Sequence, residues 1–295
     1  MNSPEITEET RIRRAAHTLQ AAFLIFREAT WHTHVLNIKV ENKQILVKED
    51  PEMTFRWQGW FSHYPKHQTP DPRDKAAVLT MMATYDVGHM KQLVAQVFED
   101  MDVLLEEVMI DPKPPKRRTV LLYANGTFDP NLYDHWLLRV TSRTTGEQFA
   151  VDISGPQYDH HVCCGPWMKV EHQFVEEVLL VKPLGTLEKF KASTAELKST
   201  AGLEADVQAQ AMVAFHAAID IGMLKKGITW AAVLSKADED YVRHRDKALK
   251  VGRRAIDKYV QTTHLTKRRW KAERYEKRHP KAVEEERKLV DEILS

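Results

Sequence analysis

The chain has 295 residues, with 43 Lys and Arg against 42 Asp and Glu and 43% hydrophobic residues. That length suits one large domain or two small ones with a sizeable core, and that composition excludes collagen-like, mucin-like and wholly disordered chains. No unbroken apolar run approaches the roughly 18 residues of a membrane span, Met1 to Arg14 is charged where a secretory leader is apolar, and the two cysteines, Cys163 and Cys164, are adjacent and staple nothing, so the expected location is intracellular and cytoplasmic.

Charge is distributed unevenly. Residues 243 to 281 hold 15 Lys and Arg against 4 Asp and Glu, leaving 28 against 38 elsewhere, which makes an acidic body with a basic tail. No self-similarity with a period of about 20 to 50 residues appears, which argues against a solenoid or propeller.

In chain order, Glu8 to about Thr30 reads as a helix with Ile12, Ala15, Ala16, Leu19, Ala22, Phe23 and Phe26 on one face, and it is expected to pack as a cover. Val35–Val40 and Gln44–Val47, split by the turn-like Glu41-Asn-Lys43, predict a hairpin. Trp57, Trp60, Phe61 and Tyr64 precede a proline-bearing loop, and with Met81, Met82 and Met90 they are candidates for an apolar pocket or a core. From Arg73 to about Val108 the spacing predicts one long helix, or two broken near Gly88, stopped by Asp111-Pro-Lys-Pro-Pro115. Thr119–Ala124, Trp136–Thr141 and Gln148–Ile153 predict three strands, the last two joined by a turn at Ser142–Glu147. Beyond Pro183 the pattern is helical: Leu184–Lys198, Ala205–Lys225, Gly227 to about Lys236, Asp238–Thr262 and Thr266–Leu294.

The chemistry concentrates in the His-bearing and Asp-bearing strands. In an antiparallel hairpin His135 and Asp152 can face each other, the carboxylate accepting the imidazole N–H and fixing its tautomer, which is the base-and-orienter half of a triad. The plainer alternative is a strand-edge histidine and an aspartate opening a Ser-Gly-Pro turn. The segments Asp134-His-Trp-Leu-Leu-Arg-Val140 and Phe149-Ala-Val-Asp-Ile-Ser-Gly-Pro-Gln-Tyr158 resemble the His and Asp strands of the transglutaminase-like branch of papain-type cysteine enzymes. They are especially similar to fungal proteins with a His-x-Trp and Val-Asp-x-x-Gly-x-Gln-Tyr pattern. The resemblance spans about residues 70 to 160. It implies an α+β core, a cysteine nucleophile at the start of the preceding helix, His135 as general base, Asp152 as orienter and acyl-transfer or amide chemistry through a thioester, and its motif includes Gln157; Cys163 is a further candidate catalytic residue apart from the resemblance, in a chain order that the family does not have.

The sequence departs from that pattern at the nucleophile. The helix expected to carry it starts near Asp71-Pro-Arg-Asp74, and no cysteine precedes residue 163. Thr80 offers only a hydroxyl, which stays protonated near neutral pH where a paired thiol ionises. Cys163 and Cys164 follow the Asp strand in Tyr158-Asp-His-His-Val-Cys-Cys-Gly-Pro-Trp167, where His160 or His161 would lower a thiol pKa. Asp159, His160, His161, Cys163 and Cys164 also offer zinc-type donors, as do His32 with His34 and His63 with His67, yet no Cys-x2-Cys pair or second cluster has ligand spacing. No metal or cofactor is therefore expected, and no Walker A or Gly-x-Gly-x-x-Gly loop occurs.

The expectation is an α+β protein, a small antiparallel sheet packed on a long helix over residues 1–183, with a mostly helical region over 184–295. Its expected function is a transglutaminase-like pseudoenzyme, a binding or interaction module around a residual His135/Asp152 pocket, with a small-molecule or protein partner and no membrane. One alternative is an enzyme that uses His135 and Asp152 as an acid/base pair, or Cys163 as nucleophile, on a small, partly apolar substrate. The other is nucleic-acid binding through the tail, where Lys267-Arg-Arg-Trp-Lys271 mixes cations with a ring; interspersed Glu273 and Glu276 point instead to a solvated or oligomer-forming helix.

Overall fold

The computed structural model describes residues 6–56 and 61–294. Trp57 and Trp60, proposed as pocket or core residues, lie outside the described residues.

Helix α1 (Glu8–Ala29) starts at Thr7, whose hydroxyl accepts from the Thr10 N–H, with Glu8 and Glu9 favourably placed at the positive end of the helix. A hairpin follows, β1 (Val35–Val40) and β2 (Gln44–Glu49), then the short α2 (Pro51–Arg56). Helix α3 (Pro72–Thr80) begins on Asp71, whose carboxylate accepts from the Arg73 and Asp74 N–H groups, with proline inside the first turn. A 3-10 turn at Asp86–Met90 leads into α4 (Lys91–Val97), then β3 (Val103–Pro112), β4 (Arg118–Leu122), β5 (Phe128–Asp129), β6 (His135–Ser142) and β7 (Gln148–Val151). A 3-10 turn at Gly155–Tyr158 precedes β8 (Cys164–Pro166), α5 (Trp167–Phe174) and β9 (Val175–Pro183). The rest is helical: α6 (Thr186–Ala195), α7 (Thr200–Leu224), α8 (Trp230–Leu234), α9 (Asp238–Thr262), α10 (Thr266–Arg278) and α11 (Pro280–Asp291).

The protein is α+β with a helical C-terminal region and two sheets. One sheet has the order β1-β2-β4-β5 and includes a parallel β2/β4 pair; the other, β8-β7-β6-β3-β9, is antiparallel throughout and has β6 at its centre. The helix against this second sheet is α1. Its Ile12, Leu19, Phe23 and Phe26, each 0% exposed, share a cluster with Trp136, Leu138 and Val140 of β6 and Phe149 and Val151 of β7. So α1 covers this face of the sheet, and with residues of α7 and α9 in the same cluster it is also the central element of the core.

Of the two readings of residues 73–108, the single long helix is corrected, while the alternative of two helices broken near Gly88 holds for α3 and α4 but not for residues 103–108. Met81 leaves the helix, Met82 sits at φ 60° with its N–H bonded to Asn131 Oδ1 at 2.9 Å, and residues 103–112 form a strand paired on both edges, with β6 and β9. Leu104, Glu106 and Val108 fit either period, and pairing on both sides decides for the strand.

The boundary at residue 183 does not separate two cores. The cluster built on α1 continues into Phe215 and Ile219 of α7 and Leu249 and Ile256 of α9, and the Arg14 guanidinium donates to the carbonyls of Leu234 at 2.7 Å and Lys236 at 2.5 Å. Among the described helices α7 alone has the length and hydropathy of a membrane span; its Val207, Ala211 and Phe215 are each 0% exposed inside the core.

Candidate functional site

Strand alternation places the site. Along β6, Trp136, Leu138 and Val140 point at α1, so His135 and Leu137 point to the opposite face, where Tyr158, Trp167, Val170 and Phe174 cover the sheet. The register Leu138↔Val151 sets Asp152, just past β7, on that same face. The predicted pair therefore forms: His135 Nε2 lies 2.9 Å from Asp152 Oδ1.

Asp152 does more than orient His135. Its Oδ1 also accepts the N–H groups of Ser154 at 3.2 Å and Gly155 at 2.7 Å, and its Oδ2 accepts from His160 Nδ1 at 3.0 Å. Four donors thus converge on one carboxylate that is 1% exposed. Burial alone would raise its pKa, but the charge and hydrogen bonds of His135 and His160 outweigh it and hold the group well below the usual carboxylate range. Gly155 is obligatory here, since a Cβ would fall 2.2 Å from Asp152 Oδ2. The plainer alternative, an aspartate organising a Ser-Gly-Pro turn, and the triad-like alternative describe the same carboxylate.

The surroundings of His135 are closed. His135 is 0% exposed, with the Tyr158 ring edge-on at 4.9 Å and the Phe174 ring edge-on at 5.7 Å, while His160 stacks on Phe174 at 4.2 Å. The expected open pocket around the His135/Asp152 pair is thereby corrected. Gln157 (1% exposed) and Ser154 (0%) are equally sealed. His135 Nδ1, the Ser154 hydroxyl and both amide atoms of Gln157 have no hydrogen-bond partner among the described residues. Such unpaired buried polar groups are costly.

The nucleophile candidates do not join this arrangement. Thr80 is 0% exposed and its hydroxyl donates to the Ala76 carbonyl at 2.9 Å, as a threonine inside a helix does. Cys163 Sγ lies 3.2 Å from His17 Nδ1 on α1. Burial, then the neighbouring Cys164 and Asp152, push the Cys163 thiol up to about 12, and burial pushes Cys164 to about 11. The expectation that His160 or His161 would activate Cys163 is corrected, because His160 bonds Asp152 and His161 lies 3.4 Å from Asp159.

The proposed zinc-type donors diverge in the same way, and no three His, Cys, Asp or Glu side chains converge as a ligand set among the described residues. His34 bonds Ser62 at 3.3 Å. His63 precedes the 3-10 turn at Lys66–Gln68, so it and His67 do not share a helical face.

Two features escaped the sequence. His160 is the second histidine on Asp152, and the Asp-x-x-Gly spacing of the turn was a signal for the tight approach that brings it there. The His17–Cys163 contact joins residues 146 apart, for which no local signal exists. A separate cavity of about 520 Å3 opens between the C-terminal end of α1, residues 61–66 and α9, lined by Glu28, Phe61, Tyr64, Lys66, Arg253 and Val260 among others. Burial would raise the Glu28 carboxyl, but hydrogen bonds from Lys66, Lys75 and Arg253 bring it down to about 2.

Comparison of the chain with protein-family models, with curated proteins and with solved structures returns no match.

Proposed function

We propose that this chain is a transglutaminase-like protein without a working nucleophile, serving as a binding or interaction module. One observation carries the proposal: the imidazole that would act as base is wholly enclosed and its Nδ1 meets no thiol or hydroxyl among the described residues. Thioester chemistry needs a thiolate beside that nitrogen. The two thiols of the chain are held protonated, and the one nearer Asp152 bonds a different histidine. The His135–Asp152–His160 cluster then serves to fix the turn at residues 152–160 and the orientation of β6 against β7.

The test compares wild type with His135→Gln on an activated ester and on a glutamine-amide acyl donor with an amine acceptor, together with iodoacetamide labelling at pH 7.5. The expected result is no turnover above the variant. Labelling of the folded protein should be on the order of 10²- to 10³-fold slower than that of a free cysteine, following the raised thiol pKa, and should become fast in denaturant.

One observation favours a second reading, acid/base catalysis by His135. Asp152 fixes the Nε2–H tautomer and leaves the Nδ1 lone pair unpartnered, as a general base requires. Turnover that is lost in His135→Gln while the thermal midpoint holds would establish it and overturn the first.

A further inference from the structure

The charge of the C-terminal helices sorts by face, and the sorting is invisible in the net composition. On α9 the residues buried against the core are Tyr241, Leu249, Gly252 and Ile256. At about 100° per residue, Lys247, Lys250, Arg254 and Lys258 fall on the opposite side, in one row at i, i+3, i+4 spacing, and all four are exposed. The acidic residues of this stretch flank the row on its Lys250 edge and are each engaged by an arginine: Asp246 with Arg245 at 2.8 Å and Asp257 with Arg253 at 2.7 Å. The four cations of the row have no ion pair or hydrogen bond among the described residues.

Helix α10 repeats the pattern. Lys267, Lys271, Arg274 and Arg278 are exposed and form one row by the same spacing. The glutamates that suggested a neutral solvated helix sit behind it: Glu273 pairs with Arg269 at 2.9 Å, and Glu276 accepts from the Thr200 N–H and hydroxyl at 2.8 Å. Trp270 stands beside the cationic row with 61% of its surface exposed and the Arg274 guanidinium 5.0 Å from its ring centre.

We propose that the outward faces of α9 and α10 form a binding surface for single-stranded nucleic acid. Rows of unpaired cations along helices neutralise a linear series of phosphates, and an exposed tryptophan offers a platform on which an unpaired base stacks. An anionic membrane is the weaker partner. A helix lying in a lipid interface inserts its own apolar face, and the apolar face of α9 is already spent on Leu249, Gly252 and Ile256 inside the protein. This surface is independent of the part assigned to His135.

The test is anisotropy of a labelled 20-nucleotide single strand titrated with the full chain at 50, 100 and 200 mM NaCl, with the matching duplex and phosphatidylserine vesicles alongside. With eight cations engaged, the slope of log K against log salt is expected near −5 to −6, at about −0.7 per phosphate contact, so affinity falls on the order of 10³-fold across that range. The combined variant Lys247→Ala, Lys250→Ala, Arg254→Ala, Lys258→Ala should reduce the slope by about 3 at an unchanged thermal midpoint. Trp270→Ala should weaken single-strand binding roughly 5- to 100-fold, spare any binding of the duplex, and be partly rescued by Trp270→Phe. No binding at 50 mM NaCl, affinity indifferent to the charge variants, preference for the vesicles over the oligonucleotide, or salt-sensitive self-association in place of oligonucleotide binding would each overturn the proposal.

Discussion

Both faces of the five-stranded sheet are buried, but they are satisfied by different means. Toward α1 the face is a continuous apolar cluster in which Trp136, Phe23 and Phe26 interlock, and what matters there is volume. Toward α5 the same strands present His135 and Asp152 among Tyr158, Trp167 and Phe174, and what matters is the count of donors and acceptors around one carboxylate. Two substitutions one residue apart on β6, at 135 and 136, therefore interrogate unrelated physics.

The largest effect is expected on the apolar face. Trp136→Ala should cost about 3 to 5 kcal/mol in urea unfolding, from lost transfer energy plus the cavity left behind. A loss under about 1 kcal/mol would mean that the α1 face is not the principal core.

On the polar face Asp152→Asn preserves volume but removes the charge and one of the two acceptor oxygens that four donors share. It should cost about 3 kcal/mol at pH 7. The Asp152 carboxyl titrates lower in the folded chain than in the unfolded one, so its contribution is present above about pH 4 and is lost as the pH falls toward the native value. Urea unfolding between pH 7 and pH 3 should show that acid-linked loss in the wild type and a correspondingly flatter profile in Asp152→Asn. Parallel profiles would mean that the carboxylate is not the hub of this face.

Gly155→Ala places a methyl group into the Asp152 carboxylate and should cost about 1 to 3 kcal/mol by overpacking. A double variant with Asp152→Asn should be less than additive, because both strike the same contact. At the small end, Arg243→Ala removes an exposed pair with Asp240 and should shift stability by no more than about 0.5 kcal/mol.

Much of the fold was legible where pairing is local. The β1/β2 and β6/β7 hairpins and the helices beyond residue 183 follow from turns and periodicity, and the approach of His135 to Asp152 follows from hairpin geometry. Strand β3 was hidden because Leu-Leu-Glu-Glu is good helix sequence, and its strand state is imposed by β6 and β9 on either side. Strand β9, Val175–Pro183, and the parallel pairing of Gln44 with Arg118 depend on partners far along the chain. At the site, the pair could be read but its enclosure could not, because Phe174 and Tyr158 arrive from α5 and the Gly155–Tyr158 turn. The basic tail was visible as composition; only the structure shows that Asp246, Asp257 and Glu273 are each paired with an arginine outside the two cationic rows.

The position of α1 has a consequence for how the chain is made. Arg14 contacts the carboxylate of Asp238, 224 residues further on, at 2.5 Å, and the apolar side of α1 is completed by α7 and α9. At ribosomal rates of about 5 to 20 residues per second, α1 emerges roughly 10 to 45 s before the helix that closes over it. During synthesis the part of the apolar face of α1 that α7 and α9 cover therefore waits uncovered, which makes it a natural recognition site for a chaperone. A nascent chain stalled near residue 183 should hold such a helper, and release should coincide with the appearance of α9.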